Sequence, residues 1–146
     1  MASAVTGFFL LLAAVPLTFS CMMALDDEMI MDDAGRVTLA VRGYVYLGTD
    51  APPVSGTLVT VSVYDRADKD FSSPLAVVRD MVSESGYYDL RVSFAAYGDI
   101  MIRVYAADPA DSSSSGEVTG VFSWESSHYD SELGAYCINM PPVYME

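Results

Sequence analysis

Val37-Thr38-Leu39-Ala40-Val41-Arg42-Gly43-Tyr44-Val45-Tyr46-Leu47 is the stretch that decides how this chain folds. Val37, Leu39, Val41, Val45 and Leu47 share one parity with Gly43. Thr38, Ala40, Arg42, Tyr44 and Tyr46 take the other. Successive strand side chains point to opposite faces, so this alternation places the aliphatic set on one side of a sheet.

The same period recurs downstream. Val59, Val61 and Val63 alternate with Thr60, Ser62 and Tyr64. Tyr88, Leu90, Val92 and Phe94 alternate with Asp89, Arg91 and Ser93. Ile100, Ile102 and Val104 alternate with Met101, Arg103 and Tyr105. Leu75 to Val82 reads as a further strand with less regular alternation. Val118 to Trp124 and Ala135 to Tyr144 are weaker sixth and seventh strands.

Turn signals separate these runs. Pro52, Pro53 and Gly56 mark a loop over 50–56, and 65–74 is a polar connection. Ser83 to Gly86 forms a tight turn, where glycine takes a positive φ at little cost. Asp108 to Glu117 reads as a polar loop centred on Ser112 to Ser115. No stretch outside the N-terminus carries a 3.6-residue apolar stripe. About seven short strands punctuated this way predict an all-β fold, a single antiparallel β-sandwich of transthyretin-like or Ig-like type over 36–146. There is no internal repeat and no linker long enough to mark a second domain.

The N-terminus has a different character. Asp26 is the first charged residue, and Phe8 to Val15 is an unbroken apolar run. A membrane-spanning helix needs about 20 apolar residues, whereas a signal-peptide core needs roughly 7–15 followed by small residues. Pro16 also opposes one continuous helix. Residues 1–20 therefore read as a signal helix. An ordinary signal cut elsewhere and an uncleaved anchor remain alternatives.

The ending Thr18-Phe19-Ser20-Cys21 resembles the lipobox of bacterial lipoproteins. That resemblance implies a diacylglycerol on Cys21 and Ser20 as the small residue before the cut. Thr18 stands where the family usually has Leu, and the start carries no Lys or Arg. Two acyl chains anchor a protein stably where one does not. The membrane, reached through lipid on Cys21, is thus the expected partner. Residues 21–35 read as an acidic tether that repels itself and extends. Asp26, Asp27 and Glu28 behind the cysteine resemble the surface-export signal of lipoproteins from gut Gram-negative anaerobes. This implies a cell-envelope location, at the outer membrane and on its outer face.

Two further passages carry a resemblance. Val41 to Val45 followed by Pro52 to Val61 looks like the first strand, Pro/Gly turn and second strand of carboxypeptidase-regulatory-like and transthyretin-like sandwiches. Ser83 to Leu90 looks like their turn-Gly-x-aromatic-x-Leu strand entry. With the lipobox and the small size, the chain is similar to the radical-SAM-associated lipoproteins. The resemblance implies a location, a fold and an association with a radical enzyme, and no catalytic residue.

Charge narrows the partners. Twenty acidic residues face seven basic ones, a net charge of −13. Nucleic acid requires Lys and Arg against phosphate, and anionic lipid surfaces require a basic patch, so both are excluded as charge-held partners. The chain has two cysteines; with Cys21 acylated, Cys137 has no intramolecular partner and reads as a buried inert thiol.

No residue set specifies a reaction. His128 is the only histidine, which excludes a His-based metal cluster. Ser126, Ser127, His128 and Asp130 contain triad residue types, yet sequence neighbours on a loop rarely reach triad geometry. Asp108, Asp111 and Glu117 offer oxygen ligands without an EF-hand spacing. No phosphate-binding glycine motif is present. The expectation is no catalytic residue, no metal and no cofactor.

The ten tyrosines and Trp124 divide between core roles and a contact face. They leave a protein or carbohydrate ligand open. The sequence thus predicts an exported lipoprotein with a non-catalytic binding or structural sandwich. Its rivals are a fimbrial or adhesin subunit that exchanges strands, a small hydrolase, and a substrate of a radical-SAM modifying enzyme.

Overall fold

The computed structural model describes residues 29–96 and 98–146. Cys21, Asp26, Asp27, Glu28, Tyr97 and the expected signal helix lie outside the described residues.

Nine strands form among the described residues: β1 (Val37–Leu47), β2 (Leu58–Asp65), β3 (Ala76–Met81), β4 (Tyr87–Phe94), β5 (Ile100–Asp108), β6 (Asp111–Phe122), β7 (Tyr129–Asp130), β8 (Ala135–Asn139) and β9 (Val143–Met145). One sheet has the order β4-β1-β8-β7, with β9 also on β1; the other has the order β3-β2-β5-β6. The two pack face to face as the expected β-sandwich.

The aliphatic parity of β1 faces the core. Val37, Leu39, Val41 and Val45 have no exposed surface, and neither do Val59, Val61 and Val63 opposite them. Each such side chain contributes about 1.5–3 kcal/mol on burial. Ile100, Ile102, Val104, Leu90, Val92 and Phe94 complete the middle. Phe122, Trp124 and Tyr136 close one end, with ring centroids 5.0 Å apart for Phe122–Trp124 and for Trp124–Tyr136.

Three details differ from the sequence expectation. The polar loop 108–117 is mostly strand: β6 starts at Asp111, and Ser115, Gly116 and Glu117 pair with Ala107, Ala106 and Tyr105. Backbone groups carry a ladder, so serines continue a hairpin once its register is set. The seventh strand is two, β8 and β9, because Pro141 and Pro142 cannot donate to a ladder. Both run parallel to β1, with Leu39 opposite Tyr136 and Val45 opposite Val143. Residues 32–35 fold into a turn in which Gly35 N–H donates to the Asp32 carbonyl. Beside it, Ile30 N–H donates to the Tyr136 hydroxyl at 2.9 Å, and Met29 packs against the core.

Two glycines are dictated by close approach. Gly86 has φ 89°, and its carbonyl accepts from Val45 N–H at 2.8 Å. A Cβ there would lie 2.2 Å from the Val45 oxygen. Gly43 faces Tyr88 across the β1–β4 pair, and the tyrosine ring lies over it. A Cβ on Gly43 would meet the Tyr88 hydroxyl at 2.5 Å.

Candidate functional site

The polar parity of β1 faces away from the core. Tyr44 and Tyr46, two residues apart, therefore stand side by side on the outer face. Strand register adds two more rings. Tyr44 lies directly opposite Tyr87 of β4, and Tyr46 directly opposite Tyr144 of β9. The result is a continuous row of four tyrosines.

Ring centroids are 5.2 Å apart for Tyr87–Tyr44, 6.1 Å for Tyr44–Tyr46 and 5.8 Å for Tyr46–Tyr144. The Tyr44 and Tyr46 planes are within 10° of parallel. Tyr44 is 44% exposed and Tyr144 51%. Cross-strand aromatic pairs stabilise a sheet by roughly 0.2–1 kcal/mol each. That explains why the rings sit together, not why they stay open to solvent.

One end of the row carries the ion pair Arg42–Asp89, 3.2 Å between Nε and Oδ2. The Asp89 carboxylate holds the guanidinium above its ordinary range. The pair is largely solvated and is worth about 0–1 kcal/mol. At the other end, Gly48, Thr49, Met145 and Glu146 border a depression beside Tyr144. The row thus offers flat apolar area with hydroxyl handles between a polar pair and an open end.

Other candidate residues are placed differently. Trp124 is buried, with its indole N–H donating to the Gly98 carbonyl at 2.8 Å, so it belongs to the core and not to a contact face. Tyr64, Tyr88 and Tyr136 are likewise buried. Burial pushes the Tyr88 phenol up, and its hydroxyl has no hydrogen-bond partner.

Ser126 to His128 form a single exposed 3₁₀ turn, and the imidazole leans on Phe122 at 5.3 Å between centroids. His128, Asp130, Arg42 and Cys137 line one shallow depression. Cys137 is half-buried, its sulfur 3.9 Å from the Ala135 carbonyl oxygen. Asp108 and Asp111 lie opposite each other across the β5–β6 hairpin, but Glu117 does not join them, and no group of three metal-ligating side chains forms among the described residues. Asp108 accepts from Ala110 N–H, Asp111 from Ser113, and Glu117 pairs with Arg103 at 2.8 Å.

No family model matches the chain, and no curated protein does. Among solved structures, the chain is similar to 3-chlorocatechol 1,2-dioxygenase from Rhodococcus opacus 1CP, at 13% identity and a TM-score of 0.44. The match covers 80% of this chain and 63% of the dioxygenase chain.

Proposed function

We propose that this chain is an exported lipoprotein, held in the cell envelope by acyl groups on Cys21, whose sandwich binds an extended glycan along Tyr87, Tyr44, Tyr46 and Tyr144. The exposed tyrosine row is the observation that carries the binding role. The anchor is supported by the apolar run Phe8 to Val15 and by the small-residue approach to Cys21. Asp26, Asp27 and Glu28 support placement at the outer membrane. In this reading the sandwich binds and does not catalyse.

A glycan suits the row for three physical reasons. Pyranose rings present an apolar C–H face that packs on an aromatic ring. Tyrosine hydroxyls then reach the sugar hydroxyls beside that face. The rings also run as an extended row across β4, β1 and β9, which matches a chain better than a compact molecule.

Affinity gel electrophoresis against a panel of neutral polysaccharides tests the binding role. Retardation by at least one polymer is expected, with Tyr44→Ala and Tyr144→Ala each weakening it about tenfold, the scale of losing roughly 1–2 kcal/mol of ring contact. Absence of retardation across the panel, or retardation indifferent to both substitutions, overturns it.

One observation favours a strand-exchanging surface subunit as a second reading. The strand β9 follows the Pro141-Pro142 break, and Val143 and Met145 fill the groove beside β1. A polymer ladder in size-exclusion chromatography, abolished by Val143→Asp, would select this reading.

A further inference from the structure

The outer face of the opposite sheet carries a second feature, independent of the tyrosine row. Thr60 and Ser62 are the small outward residues of central strand β2. Their neighbours are long: Arg79 of β3 and Tyr105 of β5 both lie opposite Thr60, and Arg103 of β5 lies opposite Ser62. Short side chains between long ones leave a trough of about 300 Å³ lined by these five residues. That is the lower end of the size range of small-ligand sites.

Two arginines line this trough, on a protein with a net charge of −13. Arg103 is held in place from two sides. Its Nη2 is 2.8 Å from Glu117 Oε1, and its Cζ lies 5.2 Å from the Phe71 ring centroid. Phe71 reaches that position with φ 54°, in the left-handed region that non-glycine residues rarely adopt. Asp68 braces the loop by accepting from Ser72 and Ser73 N–H groups. Arg103 Nε is buried without a hydrogen-bond partner. Arg79 is exposed and forms no ion pair among the described residues. A strained residue whose ring fixes one cation beside a second, unpaired cation makes a preorganised anion cradle.

We propose that this trough binds the carboxylate of an acidic sugar, clamped between Arg79 and Arg103 over Thr60 and Ser62. Arg79, exposed and free of ion pairs among the described residues, offers the guanidinium fork that matches a planar carboxylate, while Arg103, with Nη2 on Glu117 and Nε buried, adds positive charge from its remaining edge. Tyr105 supplies a wall for the sugar ring, and the Thr60 and Ser62 hydroxyls lie within the floor for its hydroxyl groups. Glu117 occupies only one edge of Arg103 and leaves the trough with a net positive charge.

NMR titration of the full chain in detergent with digalacturonate tests this, with cellobiose and sodium sulfate as comparison probes. Digalacturonate is expected to shift the amides of Thr60, Ser62, Arg79 and Tyr105. Arg79→Ala is expected to weaken it about tenfold, the scale of one charge-assisted bond pair. Arg103→Lys, which keeps the charge and loses the planar group held between Glu117 and the Phe71 ring, is expected to weaken it too. Tyr44→Ala is expected to leave it unchanged, which separates this site from the tyrosine row. The proposal is overturned by any of three results. These are absence of shifts at those amides, an unaltered affinity in Arg79→Ala, or cellobiose or sulfate matching digalacturonate in both shifts and affinity.

Discussion

Gly43 and Tyr88 form a contact whose energetics can be worked out atom by atom. An alanine Cβ at position 43 would sit 2.5 Å from the Tyr88 hydroxyl and 2.9 Å from ring carbon Cζ. Tyr88 is only 3% exposed, so the ring cannot swing away without displacing core neighbours. Overpacking of this kind costs about 1–3 kcal/mol. The hydroxyl also has no partner, and leaving a buried polar group unpaired costs about 1–3 kcal/mol.

Tyr88→Phe is therefore expected to stabilise the protein by about 1 kcal/mol, through removal of that orphaned oxygen. Gly43→Ala alone is expected to destabilise it by about 2 kcal/mol. In the Tyr88→Phe background the nearest obstacle retreats to the ring, so the Gly43→Ala penalty falls by about 1 kcal/mol, a coupling that a double-mutant cycle resolves. Urea unfolding of the four proteins supplies the energies, with unchanged slopes confirming comparable unfolded states. Additive energies, or a Tyr88→Phe variant destabilised by more than about 1 kcal/mol, would refute the packing described here.

The same pair has a pH signature. Burial raises the Tyr88 phenol above its ordinary value of 10.0. The unfolded chain therefore loses this proton first. Stability from this group is present below pH 10 and is lost as pH rises above it. Tyr88→Phe is expected to flatten that alkaline decline.

Ile102, fully buried in β5, is expected to cost about 2–5 kcal/mol when changed to alanine, read as a lowered thermal midpoint. Gly86→Ala meets both a positive φ and the Val45 carbonyl, so its loss is expected to exceed the ~1 kcal/mol typical of a left-handed alanine alone; chemical denaturation measures it. The Asp68 carboxyl, lowered chiefly by the Ser73 and Ser72 N–H bonds, is expected to titrate below the ordinary 3.8 by carbon-detected NMR. Its contribution to holding Phe71 is present above that value and fades as pH falls through the lowered midpoint.

Much of the sandwich was legible because β1, β2, β4 and β5 alternate, and burial follows that alternation apart from Ala40 and Tyr64, which are buried on the outward parity. β6 was half hidden. Ser113 to Gly116 have no apolar parity to read, and only pairing with β5 makes them strand. The break at Pro141-Pro142 was visible in residue type, but the parallel course of β8 and β9 along β1 depends on long-range pairing that no local pattern encodes. The tyrosine row shows the same division. Tyr44 and Tyr46 share a face by parity alone, while Tyr87 and Tyr144 join them only through register. Trp124 is a residue type common at contact faces, but here its ring packs among Phe94, Phe122 and Tyr136 while the Gly98 carbonyl accepts its N–H, contacts that only the tertiary fold supplies. The Arg79–Arg103 trough had no sequence signal, because its residues come from three strands.

In the proposed function, the β-sandwich is fastened to a membrane through Cys21. Intact-mass spectrometry of the native protein, extracted from the membrane fraction, addresses it most directly. The expected species is a polypeptide beginning at Cys21 and carrying at least two acyl chains, the number that stable anchoring requires. A mass showing Cys21 unmodified, or a chain cut at any other residue, would contradict it.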